Sequence, residues 1–399
     1  MNISNPAILI IIYICIFIFP GLIILNFFDY ENFYFFYAFG KNIDFNYNRF
    51  YWLIFVSIAP ILLYIFSVFG NSVNKFKNKE IEFENFMLFW KVSVFLLLST
   101  NMYFFYLFDF SIPFISVGNL VSNETYAFFR SENSNIINQG IFNLSFYFLG
   151  FFSIMCSLIL LNRSIIYILI SVFLCTLLSL FVLAKSPIFD LFYLSMLGYL
   201  FLEKKSLNVF YASIPIFLSL FFIFSFFNGE GFDSMTIIKG LNARLFFGEI
   251  SDLPSYFYFF SENPVSIFSA LPSYVQEFFG YSYSPASKVI ANNTTALSAI
   301  STSGYYNTIF IGESYAIFGK FGLFLGPLIV IANLILLNLL LSVSPKNIVS
   351  LFFFPYIIFK FCKGIFSGIG LFIFSTNQIL VLFFIFYLFF YNYSINLRR

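Results

Sequence analysis

The residues best suited to chemistry gather in a polar, aromatic-rich segment, residues 228–308, and in the short phrase that follows it. They comprise three carboxylates, Glu249, Asp252 and Glu313, and two cations, Lys239 and Arg244. A carboxylate can accept the proton of a hydroxyl group, and a guanidinium presents two parallel donors to a phosphate. Because the chain contains no His, catalysis by imidazole and His-based metal sites are excluded.

Glu313 is the sharpest of these signals, because it lies in the phrase FIGESYAIFG, where the polar segment gives way to an apolar span. An ionisable side chain at membrane depth is costly and is usually functional. Two interpretations stay open: Glu313 acts as a base on an acceptor hydroxyl, or it pairs with Lys320 two helical turns further on. Gly319, Gly322 and Gly326 recur on one helix face and predict close helix packing.

The cations outside the spans are candidates for binding a phosphate group. Residues 233–249 have apolar positions at helical spacing, which predicts a short helix lying on the membrane, with Lys239 and Arg244 off its apolar face. These two cations either snorkel to the lipid surface or form an anion site for a phosphate-bearing lipid headgroup. Arg130 and Lys185 are further candidates for the same role.

Aromatic side chains fill the rest of the polar segment. Tyr274 lies within the ring-rich stretch 263–283, and Tyr305 and Tyr306 precede the Glu313 phrase. Tyrosine combines an apolar face with a hydroxyl group, so it suits a ligand such as a sugar that has one wet side. The alternative is an aromatic belt at the level of the lipid headgroups.

The elements that must position these residues are membrane helices. The chain is 60% hydrophobic and 10% charged, with a mean hydropathy of +0.91, whereas soluble domains carry roughly 25% charged residues. We therefore predict an all-α, polytopic integral membrane protein, a single membrane domain over residues 1–399. About ten stretches have spanning length: 6–28, 50–70, 86–108, 141–161, 164–184, 187–202, 207–227, 319–343, 348–367 and 373–391.

The distribution of Lys and Arg in the short connections predicts the orientation. One side carries dense clusters, namely Lys75, Lys77, Lys79, Arg163, Lys204, Lys205, Lys346, Arg398 and Arg399. Positive charge is retained on the cytoplasmic side, so both termini are predicted to be cytoplasmic. Two sizeable loops then lie on the outer side, the large loop 228–308 and a smaller loop 109–140.

The composition argues against a disulfide framework, a nucleic-acid partner and a bound metal. The four cysteines, Cys15, Cys156, Cys175 and Cys362, all lie in apolar stretches and predict buried thiols without a disulfide framework. No basic tract suggests nucleic acid as a partner. No metal-ligand cluster is evident, so we expect a reaction that needs neither a metal nor another cofactor.

The phrase around Gly312, Glu313 and Gly319, placed after a large outer loop and before a glycine-rich span, resembles the O-antigen polymerases of bacterial lipopolysaccharide and capsule synthesis (the Wzy family). The resemblance in architecture covers the whole chain. It implies a glycosyltransferase of the bacterial inner membrane that joins undecaprenyl-pyrophosphate-linked oligosaccharide units at the periplasmic face. Membrane lipid and a chain-length regulator protein are the further partners it implies. The loops 228–308 and 109–140 would then be periplasmic.

Under that resemblance the cations would stabilise the departing pyrophosphate, and Glu313, Glu249 or Asp252 would act as the base. Two alternatives stay open. A GT-C type lipid-linked glycosyltransferase would use an acidic pair in its first outer loop, where Asp29 and Glu31 lie. A lipid-linked oligosaccharide flippase would need charges inside its spans, where this chain has little besides Lys91 and Asp190.

Overall fold

The structure is a computed structural model. It describes residues 47–68, 83–113, 133, 136–160, 164–182, 187, 190–191, 194, 253–261, 264–270, 273–281, 286–293, 308–343, 348–367 and 386–387.

Every regular element in this described part of the chain is helical. In chain order the α-helices are α1 (Tyr47–Val68), α2 (Phe83–Leu107), α3 (Gln139–Asn143), α4 (Phe151–Ile159), α5 (Ile166–Val182), α6 (Leu253–Phe260), α7 (Ser273–Phe278), α8 (Ala286–Asn293), α9 (Phe310–Phe318), α10 (Gly322–Val343) and α11 (Ile348–Ser367). A π-helix, Leu144–Gly150, joins α3 to α4, and 3-10 helices cover Ile267–Ala270 and Gly319–Phe321. The all-α prediction is confirmed for these residues.

Three helical stretches are long and apolar enough to cross a membrane among the residues described: Phe86–Leu107, Gly140–Ile159 and Phe310–Leu340. The first two coincide with the predicted spans 86–108 and 141–161. The predicted spans 50–70, 164–184 and 348–367 coincide with α1, α5 and α11. The predicted spans 6–28 and 207–227 lie outside the described residues, as do most of 187–202 and 373–391.

The described helices form two compact units. One contains α2, α3, the π-helix, α4, α5 and the beginning of α11 as far as Tyr356. The other contains α1, α6 to α10 and the remainder of α11. In both units the elements come from separate parts of the chain, so each unit forms only when distant segments pack together.

Within the unit built on α2, polar contacts join the apolar helices. Trp90 donates its indole N–H to Ser171 at 3.0 Å, and the Ser171 hydroxyl lies 2.7 Å from that of Ser153. Gly150 packs against the Cys175 sulfur so closely that a Cβ there would be 2.7 Å from it. Small residues and interhelical hydrogen bonds replace the hydrophobic effect as the cause of association in lipid. Cys156 and Cys175 are free and buried, which confirms the prediction for these two thiols.

Asp190 is a buried carboxylate of this unit, 7% exposed. The hydroxyl of Tyr147, on the π-helix, donates to Asp190 Oδ2 at 2.8 Å. Lys91, the other charge noted inside the spans, is exposed on α2. The buried Asp190 side chain therefore has a hydrogen-bond partner from the protein, as a buried polar group requires.

Candidate functional site

The chain reverses direction immediately after the Glu313 phrase. Helix α9 ends at Phe318. Its cap residue, Gly319, has a φ of 58° and a ψ of −142°, a conformation that only glycine adopts without strain. After one turn of 3-10 helix, α10 returns alongside α9, because Gly326 lies against Ser314 and Phe310, and Gly322 lies against the Ser314 carbonyl. The two helices therefore form an antiparallel hairpin.

This hairpin changes the interpretation of the apolar stretch Phe310–Leu340, which is 31 residues long. It is not one straight helix. Helix α9 has 9 residues, about 14 Å at the α-helical rise, which is too short to cross a bilayer. Helix α10 has 22 residues, about 33 Å, so within this stretch α10 alone is long enough to cross a bilayer. This agrees with the predicted span 319–343.

The prediction of close helix packing is right for two of the three glycines. Gly322 and Gly326 do allow close helix contact, since a Cβ at either position would overlap α9. At Gly319 a Cβ would meet nothing within 4 Å, and the positive φ shows that this residue is needed for the turn. The periodicity was equally compatible with both roles because all three positions fall on one face of an uninterrupted helix.

Helix α9 is enclosed by protein. Every residue from Phe310 to Ile317 is buried, so the helix has no exposed face. One side is covered by α10. The other sides are covered by segments of the large loop, where the Val265 amide donates to the Ala316 carbonyl at 2.9 Å and the Phe257 ring meets Tyr315 edge-on at 4.5 Å. Part of the loop that the sequence placed outside the span thus folds directly onto the Glu313 helix.

Glu313 lies in the first turn of α9 and is 3% exposed. At this position the positive end of the helix dipole favours a negative charge. Ser314, next to it, is fully buried and donates to the Ile311 carbonyl at 3.0 Å, which turns its hydroxyl back onto the helix. The carboxylate is therefore held in a defined, water-poor environment at the junction of the loop and the α9–α10 hairpin.

Lys320 does not share that environment. It lies in the turn between α9 and α10 and is exposed. The ion-pair interpretation required an unbroken helix that carries Lys320 two turns above Glu313. The break at Gly319 removes that geometry and leaves Lys320 exposed in the turn, so the structure does not support a buried pair between these two residues.

Three buried hydroxyl groups around α9 have no hydrogen-bond partner: those of Ser269, Ser287 and Thr308. They come from three separate segments, the 3-10 helix Ile267–Ala270, helix α8 and the residue pair that leads into α9, and both helical segments pack on α9. Thr308 is fully buried. Buried hydroxyls are normally hydrogen-bonded, so three unpartnered groups on segments that pack on or lead into the Glu313 helix make it a candidate place for another polar molecule to bind.

Specific contacts hold two of these segments, the Thr308 segment and the 3-10 helix, in place. A Cβ at Gly312 would overlap the Thr308 methyl group, so the glycine leaves room for Thr308 against the first turn of α9. Gln276 of α7 is buried and donates its amide to the Ser269 carbonyl at 3.4 Å. Nothing in the sequence around Ser269, Ser287 or Thr308 marks these residues, because the lack of a hydrogen-bond partner is a property of tertiary packing.

The other predicted site residues are not positioned by the described part of the structure. Arg130, Lys185, Lys239, Arg244, Glu249, Asp252, Tyr305 and Tyr306 lie outside the described residues. Tyr274 lies in α7, but its side chain is outside the described part. Their assignment to phosphate, base or sugar contacts stays a prediction.

Among the described residues no group of three or more His, Cys, Asp or Glu side chains is placed to hold a metal ion. Comparison of the chain with known proteins finds no matching family model, no matching curated protein and no matching solved structure.

Proposed function

We propose that this protein is an O-antigen or surface-polysaccharide polymerase of the bacterial inner membrane. It joins undecaprenyl-pyrophosphate-linked oligosaccharide repeat units at the periplasmic face. The observation that carries the proposal is the position of Glu313, buried in a protein-enclosed helix that the large loop covers and that three unpartnered hydroxyls adjoin.

The reaction needs a base, and Glu313 supplies it. The oxygen of a hydroxyl on the incoming repeat unit attacks the anomeric carbon of the growing glycan. The bond from that carbon to the pyrophosphate oxygen breaks, undecaprenyl pyrophosphate leaves, and the proton of the attacking hydroxyl passes to the Glu313 carboxylate. Because the chain has no His, a carboxylate is the suitable acceptor for this proton.

The hydroxyls of Ser269, Ser287 and Thr308 suit the neutral, hydroxyl-rich surface of a sugar, because each can donate and accept one hydrogen bond without adding charge. The cations Arg130, Lys185, Lys239 and Arg244 stabilise the charge that develops on the departing pyrophosphate. Glu249 and Asp252 remain alternative bases, and Tyr274, Tyr305 and Tyr306 provide aromatic faces for the sugar rings.

The proposed arrangement in the membrane has about ten spans, both termini in the cytoplasm, and the loops 228–308 and 109–140 in the periplasm. Membrane lipid surrounds the spans, and a chain-length regulator is the protein partner.

The lipopolysaccharide ladder of a deletion strain tests this function against its alternatives. A polymerase deletion removes all bands longer than one repeat and keeps the single-repeat band, and a plasmid copy of the gene restores the ladder. Loss of the single-repeat band as well would contradict the proposal. That result would favour the flippase or a GT-C enzyme that builds the repeat unit itself.

A further inference from the structure

The most exposed large apolar side chain among the described residues is not on a spanning helix. It is Phe278, 84% exposed, at the end of the short helix α7 in the large loop. Phe279 and Tyr281 follow it and are also exposed, so that an aromatic tip, defined as Phe278, Phe279 and Tyr281, projects from the end of α7. The Phe278 and Phe279 rings meet edge-on at 5.4 Å.

The tip is held rigidly by its backbone. The Gln276 carbonyl accepts from the Phe279 amide at 3.1 Å and from the Tyr281 amide at 2.8 Å, and Gly280 adopts a φ of 77°. These bonds form a glycine-terminated helix cap of the kind that ends a helix sharply. Gln276 is itself buried, so the cap is fixed to the interior of the unit. The rings are therefore presented outward by a fixed turn.

A short chain of contacts connects the tip to a spanning helix. Gln276 is hydrogen-bonded to Ser269 in the 3-10 helix, and this 3-10 helix packs on α9. Helix α9 in turn lies against α10, whose outward side chains Phe324 and Leu328 are 64% and 58% exposed. Side chains of this kind on a membrane-crossing helix face lipid. The tip is thus separated from the lipid-facing helix by two packed elements of the same unit.

The chemistry of the tip matches the boundary between lipid and water. Two phenyl rings supply apolar area, and Tyr281 adds a hydroxyl that suits the headgroup level. Glu277 carries the only charge in residues 273–281 and is exposed beside the rings. One carboxylate at the edge of an apolar surface is compatible with shallow insertion and unfavourable for deep insertion.

An aromatic belt at the ends of the spans does not account for this tip. Such a belt does describe Tyr106 and Phe110, which are exposed in and just beyond the C-terminal end of α2, a spanning helix. Helix α7 has 6 residues and cannot span a bilayer, so its rings need another reason to be exposed. From its exposure, its fixed cap and its place in the same compact unit as α10, we infer that the aromatic tip inserts into the outer surface of the bilayer and fastens the large loop to the membrane.

Insertion of the tip fixes the segments that cover α9 at both of their ends. The segments that cover α9 are attached at one end to α9 itself, through Val265 and Ala316. With the tip in the lipid they are attached at the other end to the membrane surface. The cover over α9 is then fixed at a constant height above the headgroups, whatever reaction occurs beneath it.

Tryptophan fluorescence of the purified full-length protein in vesicles of phosphatidylethanolamine and phosphatidylglycerol tests this insertion. Phe278→Trp and Phe279→Trp are compared with the parent protein, whose own Trp52 and Trp90 give the background. Phe324→Trp on α10 is the lipid-facing reference, and Ser261→Trp, exposed at the end of α6, is the matched control from the same loop.

With lipids brominated near the glycerol end of the acyl chains, the added fluorescence at positions 278 and 279 should fall about twofold. Bromine near the methyl ends should quench position 324 more strongly than position 278, and Ser261→Trp should respond to neither. Quenching of position 278 by aqueous iodide alone would overturn the inference, since the tip would then face water and be open to a soluble partner. Equal lipid quenching at 261 and 278, or no response to either quencher at 278, would also overturn it.

Discussion

Gly326 lies directly against Ser314: a Cβ at position 326 would be 2.5 Å from the Ser314 Oγ and 2.8 Å from its Cβ. The contact fixes α10 alongside α9 and buries the face of α9 that follows Glu313. Gly322 makes the neighbouring contact, but with the Ser314 carbonyl and the Tyr315 amide, which belong to the backbone. One close approach is thus to a side chain and the other to the main chain.

Because of this difference, a second substitution at Ser314 should restore the stability of one glycine variant and not of the other. Gly326→Ala and Gly322→Ala should each destabilise the protein by about 1–3 kcal/mol through overpacking. Adding Ser314→Gly should restore most of the loss for Gly326→Ala, because it removes both atoms that clash. It should not restore Gly322→Ala, whose clash is with backbone atoms. The midpoint of thermal unfolding in detergent measures both, and equal rescue of the two variants would contradict the hairpin contact.

Glu313→Gln keeps the shape of the side chain and removes its charge. If Glu313 is the base, polymer formation should fall by about two or more orders of magnitude at a normal level of membrane protein. Lys320→Met is the matched control, and it should leave the lipopolysaccharide ladder unchanged because Lys320 is exposed in the turn. A wild-type ladder from Glu313→Gln would end the catalytic role of this residue.

Thr308→Val should raise the stability of the fold and lower polymer formation. The Thr308 hydroxyl is buried without a partner, so an isosteric methyl group should stabilise the fold by about 1 kcal/mol. If the hydroxyl binds sugar, polymer formation should nevertheless fall about tenfold. Ser57→Ala is the control: it removes the 3.2 Å bond to the Leu323 carbonyl, so it should lower the unfolding temperature while leaving the ladder pattern unchanged. Unchanged polymer with Thr308→Val would remove the hydroxyl from the proposed site.

Arg244 tests the contact with pyrophosphate. Arg244→Ala should abolish polymer while the amount of protein in the membrane stays normal. Arg244→Lys should restore only part of the activity, because an ammonium group lacks the two-pronged geometry of the guanidinium. The ladder, normalised to protein level, is the measurement. Full activity of Arg244→Ala would refute the role.

Reporter fusions test the orientation. Fusions after Asn74 and Leu207 should report the cytoplasm, because the adjoining short connections carry the densest positive charge. A fusion near Pro272 should report the periplasm. A cytoplasmic signal at Pro272 would reverse the orientation and remove the periplasmic site.

The sequence by itself predicted that the chain is helical, with segments long and apolar enough to cross a membrane, and it located α2, the stretch 140–159 and α10 to within a few residues. Such segments can be recognised from the sequence because their preference for lipid depends on a local run of apolar side chains and not on tertiary contacts. The same reasoning selected Glu313, since a carboxylate at the beginning of an apolar run is unusual whatever surrounds it.

Only the tertiary structure decided what surrounds Glu313. The spacing offered Lys320 as its partner and placed Gly319, Gly322 and Gly326 on a single face, because both expectations assume one continuous helix. The reversal at Gly319 depends on whether α10 can approach α9, which in turn depends on the backbone contact at Gly322. Likewise, Ser269 and Thr308 are ordinary residues in the sequence, and their unpartnered hydroxyls exist only because distant segments fold onto α9.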